Sequence, residues 1–155
     1  MDSELTYRKL TSVDEEEARL LFEWRNDPFT RNMSLSVDVV SWPSHFEWYK
    51  KSLQNPQREI YLFFFEAQPV GMGRLDKSDD HTVLSWAVSP DHRKRGYGKM
   101  IVRRLCQFAS GEKRALIKEE NLASQKIAQQ AGFDLERSQD GICYYVNQRS
   151  HHEQD

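Results

Sequence analysis

Residues 83 to 108 read as strand, turn and helix, and the turn is both cationic and glycine-rich. Val83-Leu84-Ser85-Trp86-Ala87-Val88 is a short apolar run of strand length, and Tyr97, Ile101, Leu105 and Phe108 recur at helical spacing. Between them stands Arg93-Lys94-Arg95-Gly96-Tyr97-Gly98. A link this short commits the chain to a helix laid directly against the strand it follows. The turn also opens that helix, where free backbone N–H groups and the helix dipole favour an anion. Gly96 and Gly98 let the backbone approach a bulky phosphate without a Cβ in the way, and Arg93, Lys94, Arg95 and Lys99 add charge at the same place. Such a turn is suited to a pyrophosphate.

Spacing excludes the commoner phosphate loops. There is no G-x-x-x-x-G-K-[ST], the third glycine of a dinucleotide fingerprint is missing, and no acidic strand end follows about 20 residues on. A second pattern lies downstream. Ile117-Lys118-Glu119-Glu120-Asn121-Leu122-Ala123-Ser124 leads into a helix with Ala123, Ile127 and Ala131 at i, i+4 and i+8, and Gly132 stands where a left-handed residue would stop it, with Phe133 after it. The strand–R-x-x-G-x-G–helix pattern resembles the acetyl-CoA-binding motif of the GNAT N-acetyltransferases. The strand–N-x-x-S–helix pattern with its terminal Gly-Phe resembles that family's second signature. With the upstream hairpin, the resemblance covers most of residues 5 to 148.

Composition fits one domain spanning residues 1–155. A chain of 155 residues can bury a core without staples. The formal net charge is −2, from 22 basic and 24 acidic residues, so the basic turn is local and no nucleic-acid partner is expected. Cys106 and Cys143 read as buried thiols rather than ligands or nucleophiles, and no metal is expected. No apolar run reaches membrane-span length and Met1-Asp2-Ser3-Glu4 has no signal-peptide character, so the expectation is a cytoplasmic protein without a membrane partner.

The element order reads as follows. A strand at Leu5–Leu10 precedes a helix opened by a capping box at Ser12–Glu15 and stopped at Asn26-Asp27-Pro28. A loop covers residues 29 to 40. A helix then starts around Ser41–Ser44, with Ser44 and Glu47 as a second capping box, and ends at Asn55-Pro56. Strands at Glu59–Glu66, Val70–Leu75 and 82–88 come next, the first two joined at Ala67-Gln68. After the two signatures, Asp134–Ser138 and Ile142–Asn147 form a hairpin across Asp140-Gly141, and residues 148–155 are a tail. The class is α/β (α+β). The resemblance implies the GNAT fold, a mixed seven-stranded sheet with splayed fourth and fifth strands, flanked by about four helices.

In that family the gap between the splayed strands takes the pantetheine arm as an added strand would. The resemblance therefore implies coenzyme contacts from Trp86, Ala87 and Val88, pyrophosphate contacts from Arg93, Lys94, Arg95, Gly96, Tyr97, Gly98 and Lys99, and further contacts from Asn121, Ser124 and Lys126. Acetyl transfer needs a neutral amine held at near-attack distance from a polarised thioester. Glu120 or Glu119 could take the amine proton, Glu120 being preferred, and Ser85 could order a water. Many GNATs carry a tyrosine seven residues after the asparagine; Ala128 stands there, leaving Tyr144 and Tyr145 as substitutes or none.

Trp24-Arg25-Asn26-Asp27 with Ser41-Trp42-Pro43-Ser44-His45-Phe46-Glu47-Trp48 resembles the GNAT branch that acetylates amino groups of nucleotide-linked sugars, including the enzyme type of pseudaminic acid synthesis. That implies an acceptor site with Arg25, Asn26, His45 and Trp48, aromatic for the sugar or base and cationic for the diphosphate. The expected function is transfer from acetyl-CoA to a small-molecule amine, a nucleotide sugar, in a ternary complex. Acetylation of a polypeptide amine, as in ribosomal-protein acetyltransferases, and a non-catalytic acyl-CoA-binding module are the alternatives. A homodimer is compatible with the sequence.

Overall fold

The computed structural model describes residues 5–148, so the expected tail lies, beyond Gln148, outside the described residues. In chain order the elements are β1 (Thr6–Lys9), α1 (Glu15–Asn26), α2 (Pro28–Met33), α3 (Trp42–Gln54), β2 (Arg58–Phe65), β3 (Gln68–Lys77) and β4 (Thr82–Val88). A single 3-10 turn, Pro90–His92, then leads to α4 (Tyr97–Phe108), β5 (Lys113–Lys118), α5 (Leu122–Gln130), β6 (Asp134–Gln139) and β7 (Ile142–Asn147). They build a seven-stranded sheet in the order β1-β2-β3-β4-β5-β7-β6. Every neighbouring pair is antiparallel except β4–β5, which is parallel. The mixed seven-stranded sheet is thus as expected, and a short fifth helix, α2, joins the flanking four.

Period-two alternation sorts the sheet residues onto two cores. Ile60 and Leu62 of β2 pack with Leu10, Ala18, Leu21, Trp24 and Tyr49 under α1 and α3. Their neighbours Tyr61 and Phe63 turn the other way, onto Ile101, Val102 and Leu105 of α4. Fully burying each such aliphatic or aromatic side chain contributes about 1.5–3 kcal/mol. The α4 stripe follows the predicted spacing, with Phe108 half-buried and stacked on Tyr61 at 4.6 Å. Cys106 and Cys143 are free and buried in this second core, and burial pushes the Cys106 thiol up to about 11. In the described residues no helix is long and apolar enough to cross a membrane.

Local rules place the ends differently from expectation at four points. Asp14, not Ser12, caps α1: its carboxylate accepts from the Glu16 and Glu17 amides at 3.0 and 3.2 Å. Ser41, not Ser44, caps α3, with Pro43 in the first turn where its missing N–H costs nothing. Residues 29–33, expected as loop, join Pro28 in α2, because Asp27 accepts from the Thr30 amide and Pro28 is pre-set for a helix. The β2–β3 turn is Glu66-Ala67, one residue earlier than expected, both residues having positive φ. The end of α5 is as read. Gly132 has φ 97°, its N–H donates to Gln129 O, and the Phe133 N–H donates to Ala128 O, a Schellman closure with Phe133 buried beside Ala128. The buried position on α5 is Ala128, while Ala123, placed in the apolar stripe by spacing, is exposed.

Candidate active site

β4 and β5 pair at only two positions, Thr82 with Lys113 and Val83 with Arg114. Beyond them β4 stays on β3, and β5 stays on β7. The β5-facing edge of β4 from Leu84 to Val88 therefore has no strand partner. A cavity of about 350 Å³ occupies this splay. Leu84, Ser85, Trp86 and Ala87 line it from β4, Leu116 and Ile117 from β5, and Asn121 and Ser124 from the start of α5. The far wall comes from α1 and α3 through Trp24, Arg25, His45 and Trp48, with Arg74 from β3 and residues 30–40 as its roof. Trp86 contributes a buried indole N–H with no hydrogen-bond partner among the described residues. A buried donor without a protein acceptor calls for one from outside the chain, an ordered water or a ligand.

At the outer end of β4 the chain turns into α4 through Arg93–Gly96. Gly96 is the N-cap, in the left-handed region at φ 84°, and it has no side chain with which to cap the first amides. Lys94, at φ 64°, Arg95 and Lys99 are exposed around this uncapped end. The donor set, several free N–H groups and three cations, fits a pyrophosphate. Tyr97 and Gly98 are buried instead: Tyr97 packs against Phe65 at 5.6 Å, and a Cβ on Gly98 would stand 2.9 Å from Ile127 Cδ1. Gly98 thus serves the α4–α5 contact through its missing Cβ. The Arg93 side chain turns away to pair with Asp27, and Lys126 is exposed outside the cavity lining.

The cleft wall brings together three of the four residues expected for the acceptor. Arg25 lies 5.0 Å over the Trp48 ring and its NH1 donates to His45 Nδ1 at 3.4 Å. His45 is fully buried, and its Nε2 sits 2.9 Å from Ala18 O. A carbonyl only accepts and a guanidinium only donates, so these partners select the neutral Nε2–H tautomer. Burial holds the His45 pKa below its ordinary value against the Ala18 bond, and the Arg25 charge lowers it further. Arg25 is itself held low, first by desolvation and then by the like charge of Arg74. Its hydrogen-bond partner His45 is uncharged, whereas Arg74 has the Asp76 carboxylate at 2.8 Å. Asn26 is not in the lining. It bonds both backbone groups of Val40, at 2.8 and 2.9 Å, and so pins the far end of the roof.

Other expected residues stand apart. Glu119 and Glu120 are exposed beyond β5, outside the cavity lining, whereas Ser85 lies within it, opposite Arg74 in the β3–β4 register. Tyr145 is fully buried with its hydroxyl held between Gln125 and Gln129, and Tyr144 stacks with Arg137. Ala128, at the tyrosine position of the family pattern, is wholly buried in the Schellman turn. Sequence reasoning missed Arg74 and Asp38. Arg74 carried a signal, a charge alternating with Met72 on a strand face that the core otherwise fills; Asp38 lies in a segment read as loop.

The sequence model of the acetyltransferase (GNAT) family matches residues 18–133. An uncharacterized N-acetyltransferase of Bacillus subtilis, YfmK, is 28% identical over 128 residues, covering 80% of this chain and 83% of that protein. Among solved structures, Campylobacter jejuni N-acetyltransferase PseH superposes with a TM-score of 0.74 at 16% identity, over 94% of this chain and 99% of that one. Spermidine N-acetyltransferase from Vibrio cholerae superposes with a TM-score of 0.83 at 14% identity, over 95% and 96%.

Proposed function

We propose, for a chain that belongs to the acetyltransferase (GNAT) family and is an N-acetyltransferase, that it transfers acetyl from acetyl-CoA to the amino group of a nucleotide-linked amino sugar in the cytoplasm. The observation that carries the acceptor reading is charge. The cavity's ionised lining is Arg25, Arg74 and Asp38, with His45 neutral, so the wall is net cationic around an indole platform. Such a wall suits a phosphate joined to a ring and opposes a polycation such as the spermidine of the Vibrio cholerae enzyme. An N-terminal peptide amine, the second reading, would find Asp38 as its single carboxylate here.

When bound, the coenzyme supplies an acetyl thioester; the chain supplies position. Lys94, Arg95, Lys99 and the uncapped amides from Gly96 onward hold the pyrophosphate. The free β4 edge at Trp86, Ala87 and Val88 aligns the arm, with Asn121 and Ser124 on its other side. A backbone N–H at this edge polarises the carbonyl that the amine attacks. Ser85, which lines the cleft where Glu120 does not, would order a water that passes the amine proton on to bulk solvent.

The experiment is thiol release from acetyl-CoA across UDP-linked amino sugars, spermidine and N-terminal peptides. The sugar nucleotides are expected to exceed spermidine in kcat/KM by about two orders of magnitude, on the scale of one charge-assisted pair gained and one like charge opposed. Spermidine turnover equal to theirs ends the sugar reading and leaves the acetyltransferase intact.

A further inference from the structure

Asp27 gathers three donors on one carboxylate oxygen. Its Oδ2 accepts from the Thr30 amide at 3.0 Å, the Thr30 hydroxyl at 3.2 Å and the Arg93 guanidinium. That guanidinium also reaches Thr30 Oγ1 at 3.0 Å and lies 4.5 Å over the Phe29 ring. Asp27 closes α1 and opens α2, so this ion pair ties the α1–α2 corner to the glycine-rich turn, 66 residues away in sequence. From the other lip of the splay, Lys118 Nζ donates to Asn32 O at 2.8 Å. One tie from behind β4 and one from the end of β5 thus hold α2 across the opening, ahead of a segment that gives Ser34, Asp38 and Val40 to the cavity.

We propose that Arg93 is a positioning residue: its side chain couples the coenzyme turn to the order of residues 28–40 over the acceptor cleft, and does not ligate the pyrophosphate. The Asp27 and Arg93 side chains are only 20% and 29% exposed, so turning the guanidinium toward a phosphate would strand a partly buried carboxylate. The turn does not need it, having exposed Lys94, Arg95 and Lys99 and a run of free amides. A ligand that orders the turn then lowers the cost of ordering the roof, and the effect is reciprocal. The coupling rests on the coenzyme site proposed above.

The test combines calorimetric titration of CoA with amide hydrogen exchange of residues 28–40, with and without saturating CoA. Wild type is compared with Asp27→Asn, Arg93→Gln and the charge-reversal pair Arg95→Glu/Lys99→Glu. Asp27→Asn and Arg93→Gln are expected to bind CoA within about threefold of wild type. In wild type CoA slows exchange over 28–40 by about tenfold. Both single variants lose that slowing, while β2 and β3 exchange as before. Were Arg93 a phosphate ligand, Arg93→Gln would weaken CoA tenfold or more and Asp27→Asn, freeing the guanidinium, would tighten it; that pair of results overturns the coupling. Slowing that survives in both variants overturns it as well. CoA binding unimpaired by Arg95→Glu/Lys99→Glu would instead remove the coenzyme site, and the coupling with it.

Discussion

His45 shows how a polar residue that looks like a ligand contact can be held by the protein itself. An imidazole in an aromatic helix face needs partners, and a sugar phosphate could have supplied them. The partners are Ala18 O, 27 residues away, and Arg25, so the ring is a satisfied part of the wall that fixes the Arg25 guanidinium from behind. Nothing in the local sequence marks that carbonyl, which is why the chemistry of His45 was legible and its role was not. The pH dependence follows from its depressed pKa. The unfolded chain protonates His45 near its ordinary 6.5 while the folded protein does not. Its stabilisation is therefore full above that pH and is lost as pH falls below it toward the lower folded value, by at most about 1.4 kcal/mol per pH unit. Urea unfolding at pH 7.5 and 5.5 should show wild type weakening, and His45→Gln, less stable at pH 7.5, should lack most of that slope. Asp27 and Glu59, both held below the ordinary carboxylate value, act with the same sign in a window near pH 4 and do not blur the measurement. An equal slope in the variant would show that His45 is protonated in the folded protein.

α2 and the segment behind it are the least regular part of the fold and the part that sequence reads worst. Six residues carry too little periodicity to announce a helix, and Asp27-Pro28 reads as a stop although it serves as a stop and a start at once. By contrast α4, the β6–β7 hairpin and the Gly132 closure were legible because spacing, turn chemistry and a positive-φ glycine agree there. The splay was legible only through resemblance, since no residue of β4 or β5 states that pairing ends after Val83 and Arg114. Residues 34–40 owe their place to tertiary bonds, above all the Asn26 side chain on both polar groups of Val40. Asn26→Ala removes two hydrogen bonds and leaves a partly buried N–H and C=O to water, a loss of about 1–2 kcal/mol. The expected outcome is faster amide exchange at residues 34–40 and a higher acceptor KM, with CoA affinity within about threefold of wild type. Exchange as slow as wild type would mean that another contact holds the segment.

At the scale of the whole molecule, the two proposed ligands divide between the two cores. Leu84, Trp86 and Val88 turn toward α4 and the second core, while Met72 packs on the α1–α3 core and pairs with Ala87 in the β3–β4 register. The coenzyme turn belongs to the first of these faces and the Arg25 wall to the second, and the splay is where they meet. Away from the Arg93–Asp27 tie and the segment it holds, residues on one side are therefore expected to act on one ligand only. Arg25 has a neutral partner and an exposed position, so Arg25→Ala leaves no buried charge behind; it takes the donor from His45 Nδ1 and should cost about 1 kcal/mol of stability. Its charge-assisted bonds to an anionic acceptor are worth about 1.5–3 kcal/mol, which corresponds to a roughly 10–100-fold fall in kcat/KM for that acceptor. CoA affinity by calorimetry should not move, and a neutral amine should lose far less than the sugar nucleotide does. If the two acceptors lose equally, Arg25 positions the wall without reading charge. If CoA binding falls with them, the two faces are not separate and the acceptor was placed on the wrong side of the sheet.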